Sequence, residues 1–299
     1  MTARIGDLAQ NQRLQASLLA TQGRLRAGQM AAASGKAATR YDQIADTAGA
    51  LMRAKDAREL KAVFIDQTER LTGRLQVADA ALAGIVDIAD RARTMLVQRL
   101  DGNLGDAVPL DAEVDTMLRE IEAALNTRLD RQYLFAGSRT DAPPVRLPAS
   151  PITTADPTLY YQGDSLELSV RADTGLKIGY GVSADEPALA ELIAALGQAR
   201  AAHLADDHVG LGGAMTALGG ALDRLSDLRA SLGARTARLE AVAEGHRLTI
   251  LYLDEIVAGI EDADLTTVLT RIASDQAAVE ATYTVTGRLA SLSLADYLR

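Results

Sequence analysis

The chain contains no cysteine and no tryptophan. Neither a disulfide framework nor a thiolate metal centre can form, and cysteine usage leaves no trace of a redox compartment. Only 3% of the 299 residues are aromatic and seven are proline. Alanine and leucine dominate instead, which suits long helices packed along narrow seams better than a globular enzyme core. No apolar run approaches the length of a membrane span, so membrane insertion is not expected. A classical secretion signal is not expected either, because no apolar stretch followed by a small-residue cleavage site occurs. Positive charge is in deficit, with 31 Lys and Arg against 40 Asp and Glu, a formal charge of −9. Residues 1–40 are the exception, carrying Arg4, Arg13, Arg24, Arg26, Lys36 and Arg40 against only Asp7. Without interleaved aromatics, on an acidic chain, this cluster is a poor footprint for nucleic acid, which is not an expected partner. Its accompanying Gln10, Gln12, Gln15, Gln22 and Gln29 are atypical of a transit peptide.

What is present is hydrophobic periodicity, on a chain that is 48% hydrophobic and long enough to bury a sizeable core. Within residues 46–100, Phe64, Leu71, Ala78, Ile85 and Ala92 form one heptad row, and Leu60, Leu75, Leu82, Ala89 and Leu96 form its companion, which predicts one long helix. Pro109 is placed to open a second helix, over 109–131. Helix returns near Pro187, with a break expected around Leu211, Gly212 and Gly213. Leu218, Leu225, Leu232, Leu239, Leu253 and Ile260 then keep a heptad spacing that only His246 interrupts, predicting a helix over about 214–260. Phe64, Leu71, Leu75, Leu82, Ile85, Leu225, Leu232 and Leu239 are the expected packing contacts within the chain. Gly233 is expected among them, because a glycine deep in a helix costs about 1 kcal/mol relative to alanine and a closely crossing neighbour would account for it.

Between Tyr133 and Val182 the texture changes, with five of the seven prolines and five of the ten aromatics. Leu166, Leu168 and Val170 alternate with polar residues, as do Leu176, Ile178 and Tyr180 beyond the turn residues Asp173, Thr174 and Gly175, which is the signature of a β-hairpin. At the amino end Ile5, Leu8, Leu14, Leu18 and Leu25 make a thin stripe on a glutamine-rich surface. At the carboxy end Leu265, Leu269, Ile272, Val279, Tyr283 and Leu289 make another. Stripes this thin do not offset chain entropy alone, so the terminal helices are expected to need each other or other copies of the chain. These residues are candidate subunit-interface positions. The organisation expected is a terminal pair of segments, 1–45 and 263–299, a helical rod from 46–132 and 183–262, and a β-rich insert over 133–182.

Chemistry-bearing patterns are few. His203, Asp206, Asp207 and His208 in HLADDH are better explained as an exposed turn between helices than as a metal site. GLGGAMTALGG at 210–220 lacks the Lys-Ser/Thr ending with which a P-loop holds phosphate and magnesium. Glu261, Asp262 and Asp264 are accounted for by a turn, with Asp264 as N-cap of the last helix. No catalytic residue, cofactor or metal site is expected, and the chain is not expected to be an enzyme.

Five motifs run in order through nearly the whole chain: Ser34-Gly35-Lys36 after an amino-terminal helix, QYLFAGSRTDAPP at 132–144 with Tyr133, Phe135, Gly137 and Thr140, YYQGD at 160–164 with Gly163 and Asp164, RASLGARTARLE at 229–240, and SLADYL at 293–298. Together they resemble the flagellin superfamily, its hook-associated members above all. AATRYDQIA at 37–45 departs from the Arg-Ile-Asn stretch and paired aspartates usual there. The resemblance implies a mainly α fold, a long antiparallel helical coiled-coil rod built by the amino- and carboxy-terminal parts, with a small β-rich insert. It implies terminal helices that line an export channel, and a structural subunit that joins hook to filament by helical self-assembly after type III export, secreted to the extracellular flagellum. Partners implied are copies of the chain itself, an adjacent hook-associated protein, flagellin, the type III export machinery and an export chaperone, with no cofactor. The alternatives are flagellin itself, whose paired-aspartate loop and carboxy-terminal ending are missing here, and a cytosolic coiled-coil scaffold, which would leave the ordered motifs unexplained.

Overall fold

The computed structural model describes residues 2–38, 44–101 and 109–297; the AATRYDQIA stretch lies largely outside these. In chain order the described elements are α1 (Thr2–Ser34), α2 (Ala45–Leu100), α3 (Leu110–Leu125), β1 (Arg128–Leu129), β2 (Gln132–Tyr133), β3 (Ser169–Asp173), β4 (Leu176–Gly179), α4 (Pro187–Leu204), α5 (His208–Glu261) and α6 (Leu265–Tyr297). The protein is mainly α, with two small antiparallel two-stranded sheets. It divides into two compact units, residues 1–59 with 249–299, and residues 60–248, so that α2 and α5 contribute to both.

In the larger unit the heptad rows are the core. Leu71, Leu75, Leu82 and Ile85 of α2 and Leu225, Leu232 and Leu239 of α5 are buried in one continuous apolar cluster. Between them the Arg229 guanidinium grips the Asp79 carboxylate with two bonds, of 2.9 and 3.1 Å. Helix α3 adds Leu110, Val114, Met117, Ile121 and Leu125, three and four residues apart on a single face. Helix α4 is buried nearly all round, from Ala188 to Ala202, which explains why its sequence is apolar on every side. One glycine permits this: a Cβ built on Gly197 would lie 1.9 Å from the Ile152 carbonyl oxygen, so the chain of the insert crosses α4 against bare backbone.

Helix boundaries differ from expectation at two places. Helix α3 stops at Leu125, six residues early, because the side chain of Asn126 pairs with the backbone of Val145, accepting from its N–H at 3.1 Å and donating to its carbonyl at 2.9 Å. The break after α4 falls at residues 205–207, not at Leu211, Gly212 and Gly213. There Asp206 adopts a φ of 49°, and the buried Arg99 of α2 donates to Asp206 Oδ1 at 2.7 Å and to His203 Nδ1 at 3.0 Å. Gly212 and Gly213 continue inside α5 because Leu211, Ala214, Leu218 and Ala221 are buried around them, and that burial outweighs the helix penalty of two outward glycines.

The β segment holds two hairpins. Arg128 pairs with Tyr133 and Leu129 with Gln132 around Asp130 and Arg131, both left-handed, at φ 51° and 66°. The expected hairpin is β3–β4, with Val170 opposite Ile178 and Gly175 in the turn at φ 84°. His246, the interruption in the α5 heptad row, is where this hairpin docks. Its ring is buried and stacked on Phe64, centroids 5.6 Å apart, and its Nε2 bonds to the Ala172 carbonyl of β3 at 2.8 Å. Lys61 of α2 adds an ion pair to Asp173 at 2.7 Å, and that hydrogen bond holds the Asp173 carboxyl below the usual aspartate range.

Gly233 does not make the close helix contact expected of it. It is exposed, and a Cβ built there meets no atom within 4 Å. The reason is geometric: Leu232 takes the buried row, and the next residue along an α-helix is turned about 100° away. Gly233→Ala should therefore raise stability by somewhat under 1 kcal/mol, through helix propensity alone. Thermal unfolding checks this, and a less stable variant would show a neighbour at that face.

Candidate assembly surface

The smaller unit is organised by its two terminal helices. Helix α1 ends at Gly35, left-handed at φ 69°, whose N–H caps the Ala31 carbonyl at 2.9 Å. The chain then forms a short antiparallel bridge with the turn between α5 and α6. Ala37 N–H donates to Glu261 O at 2.7 Å, and Ala263 N–H to Gly35 O at 2.9 Å. Lys36 donates to Asp262 at 2.8 Å and reaches Glu261 at 3.4 Å, while Lys55 also bonds Glu261. The hydrogen bond from Lys55, reinforced by Lys36, holds the Glu261 carboxyl below its ordinary range, and Asp262 raises Lys36. Asp264 caps α6, accepting from the N–H groups of Thr266 and Thr267 at 3.0 and 3.2 Å. The acidic cluster is thus a clasp between the inner ends of α1 and α6, and Ser34-Gly35-Lys36 is its other half.

From this clasp α1 and α6 run antiparallel. Leu14, Leu18 and Leu25 of α1, with Ile272 and Val279 of α6, are half-buried. Leu265, Leu269 and Tyr283 remain exposed, although the Tyr283 hydroxyl accepts from Gln22 at 2.8 Å. The side chains of Ile5, Leu8 and Leu289 lie outside the described residues. Close approach occurs at Gly28, where a Cβ would sit 3.0 Å from Ile272 Cγ1. A groove of about 320 Å³ runs beside it, lined by Arg24, Ala31, Val268 and Arg271 among others. Leu19, 68% exposed, and Met30, Leu269 and Tyr283, each more than half exposed, leave apolar side chain uncovered among the described residues.

The motif residues of the larger unit form a second construction. Gly137, at φ 64°, lets the chain turn so tightly that a Cβ would lie 2.1 Å from the Asp164 carbonyl oxygen. The Asp164 carboxylate accepts from Ser138 N–H at 2.7 Å, from Leu166 N–H at 3.2 Å and from the Ser138 hydroxyl. These bonds, the Ser138 hydroxyl first, hold its carboxyl below the ordinary range. Gly163 is as tight, its built Cβ 2.7 Å from the Ala136 carbonyl. Tyr133 N–H donates to Thr140 O at 2.9 Å, closing the loop between them. Phe135 and Tyr160 are fully buried; Tyr160 donates to Ala184 O at 2.8 Å, and Ala184 N–H to Phe135 O at 2.9 Å. Tyr161 donates to Asp164 O at 2.6 Å, and burial pushes its phenol up to about 12. The two sequence motifs are one interlocked joint, which fastens the insert where it leaves and rejoins the helices.

Among the described residues no group of three His, Cys, Asp or Glu is placed to hold a metal ion, and no helix is long and apolar enough to cross a membrane. Residues 215–298 match the family described as the bacterial flagellin C-terminal helical region. The fold is similar to that of FlgL from Bacillus cereus, with a TM-score of 0.56 at 18% identity, over 70% of this chain and 99% of that one. It is also similar to a Vibrio parahaemolyticus protein assigned as a flagellar hook-associated protein, with a TM-score of 0.52 at 16% identity, over 71% of this chain and 96% of that one. No curated protein sequence matches the chain. Its carboxy-terminal part is of the flagellin type. About 70% of the chain shares the fold of FlgL.

Proposed function

We propose that this chain is a structural subunit of the bacterial flagellum that joins hook to filament, and that it works by assembly rather than by turnover. The observation that carries the reading is the conjunction of a flagellin-type carboxy-terminal region with the FlgL-like fold. The exposed apolar side chains of α1 and α6, Leu19, Leu265, Leu269 and Tyr283 among them, supply a surface that neighbouring copies would cover. Stacking of that kind is heterologous and propagates until a different protein ends it. The partners proposed are copies of the chain, an adjacent hook-associated protein on one side and flagellin on the other. Delivery is proposed through the type III export machinery with a chaperone shielding the same apolar stripe, and the final location is outside the cell.

Deletion of the gene tests the junction role. Cells should keep intact hooks, lose filaments and release unpolymerised flagellin into the medium. Intact filaments would overturn the proposal, and hooks without any exported flagellin would point to the main filament subunit instead.

A further inference from the structure

The HLADDH turn between α4 and α5 is fastened by a bond that one proton would break. Arg99 of α2 is 5% exposed, and both of its side-chain partners among the described residues lie at this turn. Its Nη2 donates to Asp206 Oδ1 at 2.7 Å and its Nε to His203 Nδ1 at 3.0 Å. A guanidinium keeps its protons and has no lone pair to offer. In the second bond Arg99 is therefore the donor and His203 the acceptor, which makes the ring neutral, with its single proton on Nε2.

The surroundings do not favour a second proton. Charged and titratable groups come to this end of the unit from every element around the ring. Asp206 is taken by Arg99 and lies 4.0 Å from His208 Nε2 of α5. Asp207 accepts from the Val209 N–H at 3.1 Å. Arg200, on α4 itself, pairs with Asp115 of α3 at 2.8 Å, where Asp111 precedes it by one helical turn. Asp101, two residues beyond Arg99, is engaged elsewhere. Among the described residues no carboxylate comes within ion-pair distance of the His203 ring. A proton arriving at Nδ1 would enter the 3.0 Å gap that the Arg99 N–H already fills and set imidazolium against guanidinium. The ring must then turn away, leaving a buried cation with one partner, the Asp206 side chain, which is 77% exposed. Asp206 is also the residue held left-handed at φ 49°, a conformation that needs support from its surroundings.

We propose that Arg99 and His203 form an acid-sensitive fastening of the α4–α5 turn, closed while the imidazole is neutral and loosened in mildly acid solution, where an imidazole takes up its second proton. What opens is local. The turn is closed by Asp206 N–H to His203 O at 3.1 Å and Asp207 N–H to Ala202 O at 2.8 Å, whereas Leu196, Ala199, Leu211 and Ala214 keep the flanking helices in the core. The inference concerns the larger unit alone and stands independently of the function proposed above.

Hydrogen exchange of the full-length chain, expressed as protection factors, tests this. Between about pH 7.5 and about pH 5, protection over residues 203–209 should fall about tenfold, the scale of one lost hydrogen bond, while protection over α3 stays constant. In His203→Gln the carboxamide oxygen can accept from Arg99 at either pH, so this variant should keep its protection in acid. A glutamine variant already loose at neutral pH would also support the proposal, since the turn would then require the imidazole as acceptor. Equal acid-induced losses in parent and glutamine variant would overturn it, as would a parent whose turn is indifferent to pH. A response abolished by His208→Gln and kept in His203→Gln would overturn it by making His208 the group that titrates. Nitrogen chemical shifts of the His203 ring give a reading that needs no variant. Nδ1 should be unprotonated at neutral pH and gain its proton in step with the loss of protection, and a proton already on Nδ1 at neutral pH would overturn the proposal.

Discussion

Gly197→Ala is expected to destabilise the larger unit by about 2 kcal/mol, although alanine is the better helix former. The new methyl group would lie 1.9 Å from the Ile152 carbonyl oxygen and 2.7 Å from its carbon, both backbone atoms. A flexible side chain could swing aside, but this segment is held. Ile152 is itself buried, and Gln198, the next residue of α4, donates to the Thr153 carbonyl at 2.7 Å. Relief therefore requires α4 or the insert to shift, and α4 is packed on nearly every side. The propensity gain of about 1 kcal/mol works in the opposite direction and is the smaller effect. For a unit of this size the net loss corresponds to a melting temperature lower by about 4–8 °C. A variant at least as stable as the parent would show that the crossing of the insert over α4 is loose.

The contrast between Gly197 and Gly233 shows what the sequence could and could not reveal. Both glycines lie inside helices, and both disobey local propensity. Only the tertiary path of residues 147–156 distinguishes them, and that path follows no periodicity. The heptad rows were legible because burial along a helix repeats: Leu71, Leu75, Leu82, Leu225, Leu232 and Leu239 are all in the core. His246 broke the row on paper and not in space, since its ring packs on Phe64 while its nitrogen satisfies a β3 carbonyl that would otherwise be buried unpaired. Gly212 and Gly213 suggested a break that occurs instead at Asp206, a non-glycine residue in a left-handed conformation anchored by Arg99 from a distant helix. The β1–β2 hairpin went unforeseen for the same reason, because Asp130 and Arg131 occupy turn positions that usually call for asparagine and glycine. The Ser34-Gly35-Lys36 and Glu261-Asp262 motifs were each visible, as were the two motifs around Gly137 and Asp164. That each pair closes on itself was not, since bonds between residues far apart in the chain leave no spacing to read.

The joint between Gly137 and Asp164 should be the other position most sensitive to change. Gly137→Ala incurs two costs at once: a left-handed backbone at φ 64° that a side chain disfavours, and a methyl group 2.1 Å from the Asp164 carbonyl oxygen. Together these should remove about 3 kcal/mol, seen as a lower melting temperature and faster proteolysis between residues 138 and 165. Asp164→Asn separates charge from shape. Asparagine can still accept from Ser138 and Leu166, but it lacks the negative charge that strengthens those bonds. The Asp164 carboxyl is held below its usual range, chiefly by the Ser138 hydroxyl. A group with a depressed folded-state pKa contributes stability that is present above its unfolded pKa, about 3.9 for aspartate, and is lost as the pH falls through the folded value. The parent should therefore melt above Asp164→Asn at pH 7, and the gap should close as the pH drops below about 4. Other carboxylates titrate equally in both proteins and cancel from the difference. A gap that stays constant down to pH 3 would mean that the charge of Asp164 is not what stabilises the joint.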